Sequence, residues 1–597
     1  MKALIALHEA SRAYVYPLSE RAICLGLRAS ERVEATVRYH NKNRPQEPWA
    51  EQPMACLGFD GALYRYETVL HTREKTRYLA YCFALAYQGE TVWLCASGLA
   101  GERPEAGFFE YLYTQESDLP RRPPWAQNAV IYQIFPDRFA RDPAQQADRP
   151  LRAWGDPPDR EGFWGGNLAG IRRRIPYLVE MGVDAVYLNP VFQSPSNHRY
   201  DTADYETVDP LLGTAEELEA LARELHARGI RLILDAVLDH CGVDFAPFRD
   251  VVKNGEASPY RDWFFIDRYP IAFDPPSYEA IGYYKAMPKL RLGNPQVQEY
   301  FLGVLEYWTK RLDLDGWRFD VSDEIDPEFL RRMQRRLRRL SPDVLLIGEA
   351  WQENPDLVSC CRLDGVIHYP FQRAAVDFFA KDALDPERFT QRMVRALAAY
   401  PAYARTWNVC MLDCHDTARF WELCGQDLER LRCALAYQLL YPGIRLVYYG
   451  DEAGLPGGPD PDCRRAMPWG NLDRRVRELY LAWLRCAGAL KTGETAVVDD
   501  YLPVVALRRR EGKRTLWALV NMGEERQVTL KGGLLEVLFG LDSALADGNG
   551  TQTKVRLGKR QCVALAVQED GPADGGGEQG EAGSRSGAGL GEGPQRG

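Results

Sequence analysis

Between residues 130 and 450 the chain alternates short apolar runs with amphipathic stretches. The runs are VIYQIFP (130–136), VDAVYLN (183–189), RLILDAV (231–237), LDGWRFDV (314–321), DVLLIGEA (343–350), DGVIHYP (364–370), WNVCMLD (407–413) and IRLVYYG (444–450). Near-continuous apolar strands separated by helices such as 214–229 and 327–340 belong to a parallel sheet covered by helices. Eight is the number that closes such a sheet into a barrel, at roughly 31 residues per unit. Residue 314 to residue 343 fits one unit, whereas 83 residues separate 231 from 314. The surplus predicts a small subdomain at about 241–290, inserted after the third strand.

The flanks read differently. Residues 1–120 hold short strand-like runs, for example AICLGLRA (22–29) and YLAYCFALAY (78–87), and end at Pro120-Arg-Arg-Pro-Pro124. They predict an N-terminal β-sandwich, and strand-like runs at 491–570 predict a C-terminal one. From 571 to 597 eleven of 27 residues are Gly, a composition too poor in apolar groups to offset its ordering entropy, so a disordered tail is expected. The expected class is therefore α/β, a (β/α)8 TIM barrel at 121–490 between two sandwiches. No apolar run approaches the ~18 residues that span a bilayer. The net charge of −10 argues against nucleic acid or an anionic membrane as the partner. The N-terminus MKALIALHEA has an apolar stretch shorter than the ~7–15 residues of a secretory signal, so a cytoplasmic protein is expected. In that compartment the fourteen cysteines read as buried free thiols.

Acidic residues sit at, or just beyond, the ends of four of the candidate strands: Asp235, Asp320, Glu349 and Asp416. A carboxylate on a buried strand is costly unless paired or functional, and barrel active sites lie at the strands' C-terminal ends. One such acid alone is explained equally well by a structural ion pair; four together are not. In GWRFDV, Arg318 and Asp320 share one face and Trp317 and Phe319 the other. An inward Arg318 would keep Asp320 ionised, which suits a nucleophile. Glu349 also points inward, with only apolar neighbours in sequence, and burial would raise it into the range of a general acid. Two carboxyls in divergent environments are what glycoside hydrolysis uses. Three of the eight histidines, His198, His240 and His415, lie beside these acids and suit hydrogen bonds to substrate hydroxyls.

AVIYQIFPDRF, WGGNLAGIRRRIPYL, LNPVFQSPSNHRYDTADY, DAVLDHCG, MPKL, DGWRFDV, IGEAW, CHD and YYGDEAGLPGGPDPDCRR follow one another in an order that resembles the α-amylase family of glycoside hydrolases. The chain is most similar to that family's cyclomaltodextrinase, neopullulanase and maltogenic amylase group. The resemblance implies a retaining enzyme cleaving α-1,4-glucosidic bonds of cyclodextrins, pullulan or maltooligosaccharides. Within the family it leaves open α-glucosidase action, transglycosylation or an inactive glucan-binding relative. It implies Asp320 as nucleophile, Glu349 as acid/base and Asp416 as transition-state stabiliser. Arg318 would hold Asp320 ionised, while His240 and His415 would bind the sugar stacked on Tyr200. His198 and Asp235 would support the site, and Trp351 would line the leaving-group side. It further implies a homodimer through the N-terminal domain.

This sequence departs from the family pattern at Asp239, Arg291 and Asn167, where Asn, Asn and Asp respectively are usual. FARDPAQQADRP (139–150) lacks the Asn-rich calcium loop of many relatives, so Asp142 and Asp148 read as solvated surface acids and no calcium or other cofactor is expected. Cys410-x-x-x-Cys414-His415 reads as structural, because on a strand Cys414 and His415 would point to opposite faces.

Overall fold

The computed structural model describes residues 4–145, 148–359, 362–491, 493–540, 547–548 and 550–568. Eight parallel strands close a barrel: β1 (Val130–Ile134), β2 (Ala185–Leu188), β3 (Arg231–Ala236), β4 (Gly316–Phe319), β5 (Leu345–Ala350), β6 (Gly365–His368), β7 (Val409–Cys410) and β8 (Ile444–Tyr448). Closure comes from β8 pairing with β1, where Ile131 opposes Leu446. Every residue of β1 and β8 is buried, as expected of strands filled inside and covered outside. Trp317 shows the outward packing: its indole Nε1 donates to Thr309 Oγ1 at 3.0 Å in the helix Pro295–Leu312.

The helices follow their local signals. Thr214 and Glu217 form a reciprocal cap, Glu217 N donating to Thr214 Oγ1 and Thr214 N to Glu217 Oε2. The helix Ala215–His226 then buries Leu218, Leu221, Ala222 and Leu225 on one stripe. Asp326 caps Pro327–Leu340, which buries Phe329, Leu330, Met333 and Leu337.

After β3 the chain leaves the barrel, forms the helix Ala246–Asn254 and returns beside the strand's end. His240 bridges to Lys289, and Leu290 N donates to Asp239 O at 2.8 Å. The excursion thus walls one side of the barrel mouth.

The N-terminal strands form a five-stranded and a six-stranded sheet packed over Ile23, Leu25, Val37, Tyr81, Phe83 and Leu85. This domain docks on the barrel through Arg405, whose Nη1 lies 2.7 Å from Glu67 Oε2, and through Tyr16, whose hydroxyl accepts from Ala402 N. Beyond the helix Arg474–Gly488, a five-stranded and a three-stranded sheet enclose Trp517, Leu519, Leu530, Val555 and Leu565. The expected tail at 571–597 lies outside the described residues. The described cysteines are free, and all but Cys56 and Cys486 are buried.

Two expectations need correction. The seventh run was expected to be a strand over 407–413, but β7 holds only two residues and the chain turns after it. Asp142 is buried rather than solvated: Arg173 Nη2 lies 2.8 Å from its Oδ2, and its Oδ1 accepts from Ala144 N. Asn167 accepts from Asp142 N and caps the helix Leu168–Arg173 through Gly170 N. The Asp142 carboxylate thus meets an arginine and the Ala144 backbone N–H, while Asn167 holds the Asp142 backbone. Asp148 is exposed, as expected.

His8 sits in the N-terminal core with Nδ1 2.6 Å from Gly26 O and Nε2 2.9 Å from Tyr81 OH. Burial pushes it down to about 4, against the opposing pull of the Gly26 carbonyl; burial does the same to His368 at the end of β6. Between pH 6.5 and 4 the unfolded chain therefore binds more protons at these positions than the folded one, so stability falls as pH falls through that window. His8→Gln keeps a donor and an acceptor but cannot titrate. Thermal unfolding scans should show the wild-type midpoint dropping across this window and a shallower drop in His8→Gln; equal slopes would show that His8 is not held neutral.

Candidate active site

The site grows from the C-terminal ends of β3, β4 and β5. Arg318 points into the barrel, 3% exposed, and one guanidinium meets three carboxylates. Its Nη1 lies 2.9 Å from Asp235 Oδ1 and 2.6 Å from Asp320 Oδ1, and its Nη2 lies 2.8 Å from Glu349 Oε2. Three acids against one cation leave excess negative charge at a buried site, which disfavours ionising Asp235 and Asp320 together.

Asp320 departs from expectation. Burial pushes its carboxyl well above the usual range; Arg318 opposes this, while Glu349 and Asp235 add to it. Asp235 is also raised, first by burial, against Arg318 and the hydroxyls of Tyr187 and Tyr200. Those hydroxyls donate to its Oδ2 at 2.6 and 2.9 Å.

Glu349 also differs from expectation. Its surroundings are polar: Arg318 and Val321 N engage Oε2, the latter at 3.0 Å, and Trp351 Nε1 donates to Oε1 at 2.9 Å. Alternation along β5 gave its direction correctly, but two of its partners come from β4 and the turn beyond, and the third, Trp351, follows β5 itself. Val321 turns its amide toward Glu349 with φ +45° and ψ +45°, a left-handed conformation costly for a β-branched residue.

Opposite these acids lies the turn after β7. His415 Nδ1 is 2.8 Å from Gln133 Nε2, and its Nε2 is 2.6 Å from Tyr200 OH and 3.1 Å from Asp416 Oδ2. With the Gln133 amide donating, the ring proton belongs on Nε2. Burial first, then Arg464 and Arg318, hold His415 well below its ordinary value and therefore neutral. The Tyr200 and His415 rings stack at 8° with centroids 5.6 Å apart. Arg464 Nη2 lies 3.2 Å from Asp416 Oδ1, and Tyr369 OH reaches Oδ2 at 3.5 Å.

The remaining expected residues are close by. His240 Nε2 is 3.8 Å from Asp320 Oδ2, and neither of its ring nitrogens has a hydrogen-bond partner although both are buried. His198 stacks beyond Tyr200 at 6.0 Å, and burial pushes it down to about 4. It lines a cavity of about 380 Å³ with Arg464, Asp460, Tyr283 and Tyr284. Trp351, 43% exposed, stacks on Tyr369 at 4.0 Å. All ten expected residues thus belong to one continuous region, with His198 and Trp351 at its two margins.

Sequence reasoning missed Gln133, Tyr187, Asn189, Val321, Tyr369 and Arg464. Gln133, a polar residue inside a wholly buried strand, was the available signal, as was Asn189 at the end of β2. The contribution of Val321 comes from its backbone and leaves no mark in the sequence.

Comparison with known proteins accords with this geometry. Residues 133–474 match the alpha amylase catalytic domain, and residues 1–115 match the alpha amylase N-terminal ig-like domain. Neopullulanase 2 of Thermoactinomyces vulgaris is 40% identical over 490 residues, covering 80% of this chain and 83% of that protein. The intracellular maltogenic amylase of Bacillus subtilis (strain 168) is 35% identical over 432 residues, covering 71% of this chain and 73% of its own length. A solved cyclomaltodextrinase superposes with a TM-score of 0.86 at 30% identity, over 94% of this chain and 99% of the other. With both of its matched domains in place and so much of its length shared, the chain belongs to the alpha-amylase family.

Proposed function

We propose that the protein is a retaining glycoside hydrolase acting on α-1,4-glucosidic bonds of cyclodextrins, pullulan or maltooligosaccharides. The observation that carries this reading is the single Arg318 guanidinium bridging Asp320 and Glu349. Carboxyls joined through one arginine suit the about 5–5.5 Å spacing of a retaining pair better than the about 6.5–9.5 Å that leaves room for a water. The names of the relatives, neopullulanase and cyclomaltodextrinase, support the substrate class.

The proposed reaction runs in two displacements. Arg318 engages Oδ1 of Asp320, which leaves Oδ2 to attack the anomeric carbon. Glu349, in its protonated form, gives its proton to the leaving oxygen; the bond to that oxygen breaks and a glycosyl ester forms on Asp320. As Glu349 loses its proton, Arg318, Val321 N and Trp351 Nε1 receive the new carboxylate. Glu349 then takes a proton from water, whose oxygen attacks the anomeric carbon and frees Asp320. A sugar hydroxyl in place of that water gives transglycosylation. His240, with two unpartnered ring nitrogens, and the neutral His415 beside Asp416 would take sugar hydroxyls over the Tyr200 ring. Trp351 would face the departing sugar.

The proposal includes no cofactor. It includes a homodimer through the N-terminal domain, where exposed apolar residues such as Leu99 and Leu112 suit a contact surface, and a cytoplasmic location, supported by the intracellular Bacillus relative.

Two outcomes test the roles. Asp320→Asn should lower kcat on maltotriose or β-cyclodextrin by at least about 10⁴-fold while circular dichroism and unfolding midpoint change little; near-normal turnover would remove Asp320 from the mechanism. The second concerns pH. Asp320 must be ionised to attack, and burial with neighbouring acids raises it, so the acid limb of kcat/KM should lie above the ordinary aspartate value. In Glu349→Gln, assayed with α-maltosyl fluoride, whose leaving group needs no proton, burial and Asp235 still act on Asp320, so the acid limb should stay above the ordinary aspartate value. A limb at the ordinary aspartate value would contradict burial as its cause.

A further inference from the structure

The turn after β7 places Cys414, His415 and Asp416 on one spot. The Cys414 thiol, a His415 ring nitrogen and an Asp416 carboxylate oxygen all lie within 4.8 Å of one another. Strand alternation had put the first two on opposite faces; the chain is not a strand there. The turn is fixed from several sides. Cys414 N donates to Thr417 Oγ1 at 3.1 Å, and Asp416 N lies 3.4 Å from Cys414 Sγ. His415 O accepts from Arg464 Nε at 2.8 Å and faces Cys463 Sγ at 3.2 Å. Three potential ligands therefore face one another in a framework that holds their backbone still.

Sulfur, imidazole nitrogen and one carboxylate form the donor set of zinc and similar soft or borderline cations, bound at about 2.0–2.3 Å with a fourth position for water. Calcium and magnesium want six or more oxygens and find none of that here. A metal on His415 Nε2 requires the ring proton on Nδ1. The buried Gln133 can supply the acceptor: its Oε1 has no partner, and rotating the amide turns that oxygen toward the ring, at the cost of the 3.0 Å bond its Nε2 gives Asn189 Oδ1. The Tyr200 hydroxyl, 2.6 Å from His415 Nε2, yields its place to the cation. The Arg464 charge beside Asp416 is offset by Asp460, whose Oδ1 lies 3.1 Å from Nη1, and Arg464 occupies Oδ1 of Asp416 rather than Oδ2.

We propose that Cys414, His415 and Asp416 form an inhibitory site for a soft or borderline divalent cation, of which Zn²⁺ is the type. Binding releases the thiol proton and takes the lone pairs of His415 and Asp416. The cation then occupies the place of the sugar hydroxyls, a consequence that rests on the function proposed above, whereas the binding itself does not.

Cobalt titration of the purified full-length protein tests the binding. One equivalent of Co²⁺ should add a thiolate-to-metal charge-transfer absorption, and Cys414→Ser should remove it. Hydrolysis of maltotriose tests the consequence: Zn²⁺ should inhibit the wild type, Ca²⁺ and Mg²⁺ should not, and Cys414→Ser should raise the inhibition constant for Zn²⁺ at least about tenfold, each variant measured against its own uninhibited rate. No charge-transfer band, or a band that survives Cys414→Ser, would overturn the site. Equal Zn²⁺ sensitivity of the two proteins would overturn its inhibitory role. The Cys414-dependent band without any loss of activity would uphold the metal site and count instead against His415 and Asp416 as sugar-binding groups.

Discussion

A single buried guanidinium organises the barrel mouth. Arg318 is the only arginine or lysine paired with Asp235, Asp320 and Glu349 among the described ion pairs, and each acid comes from a different strand or its end. Removing it would leave three acids facing one another in a site of low dielectric, which no barrel would hold together unchanged. The arrangement explains why the acids can be so close, and why burial and their mutual repulsion leave Asp235 and Asp320 raised in spite of the arginine. A shared proton is what the proposed chemistry needs: one carboxyl gives a proton while its neighbour attacks as an anion.

The rest of the site is arranged around that charge cluster in two layers. Tyr187 and Tyr200 donate their hydroxyl protons to Asp235 Oδ2, which leaves Oδ1 turned toward Arg318. Tyr200 in turn accepts from Asn189 Nδ2 at 2.9 Å and meets His415, so the chain Gln133–His415–Tyr200–Asp235 links β1, the turn after β7, the loop after β2, and β3. Such a network holds the imidazole neutral and oriented, which suits the proposed binding of a sugar hydroxyl better than base catalysis. Val321 contributes differently, holding a strained backbone so that an amide meets Glu349.

Much of this was legible in the sequence because barrel strands carry two signals at once. Apolar runs marked all eight strands, and alternation placed Arg318, Asp320 and Glu349 inward. Partners across strands were less legible. Glu349 looked apolar because its sequence neighbours are; its real neighbours are an arginine one strand away, a backbone amide and an indole. Asp320 looked stabilised by Arg318, yet burial and two further acids outweigh that arginine. Alternation put Cys414 and His415 on opposite faces for a plainer reason: an apolar run of seven residues supplied a strand of two, and period-two alternation does not continue through a turn.

The account turns on Asp320 and Glu349 acting as a close pair across Arg318, and the stereochemistry of the first-formed product tests this most directly. Proton NMR of maltooligosaccharide hydrolysis, followed before mutarotation equilibrates the anomers, should show the new reducing end appearing first as the α anomer. Product appearing first as the β anomer would mean a single displacement by water, and the Arg318-bridged pair could not then be working as nucleophile and acid.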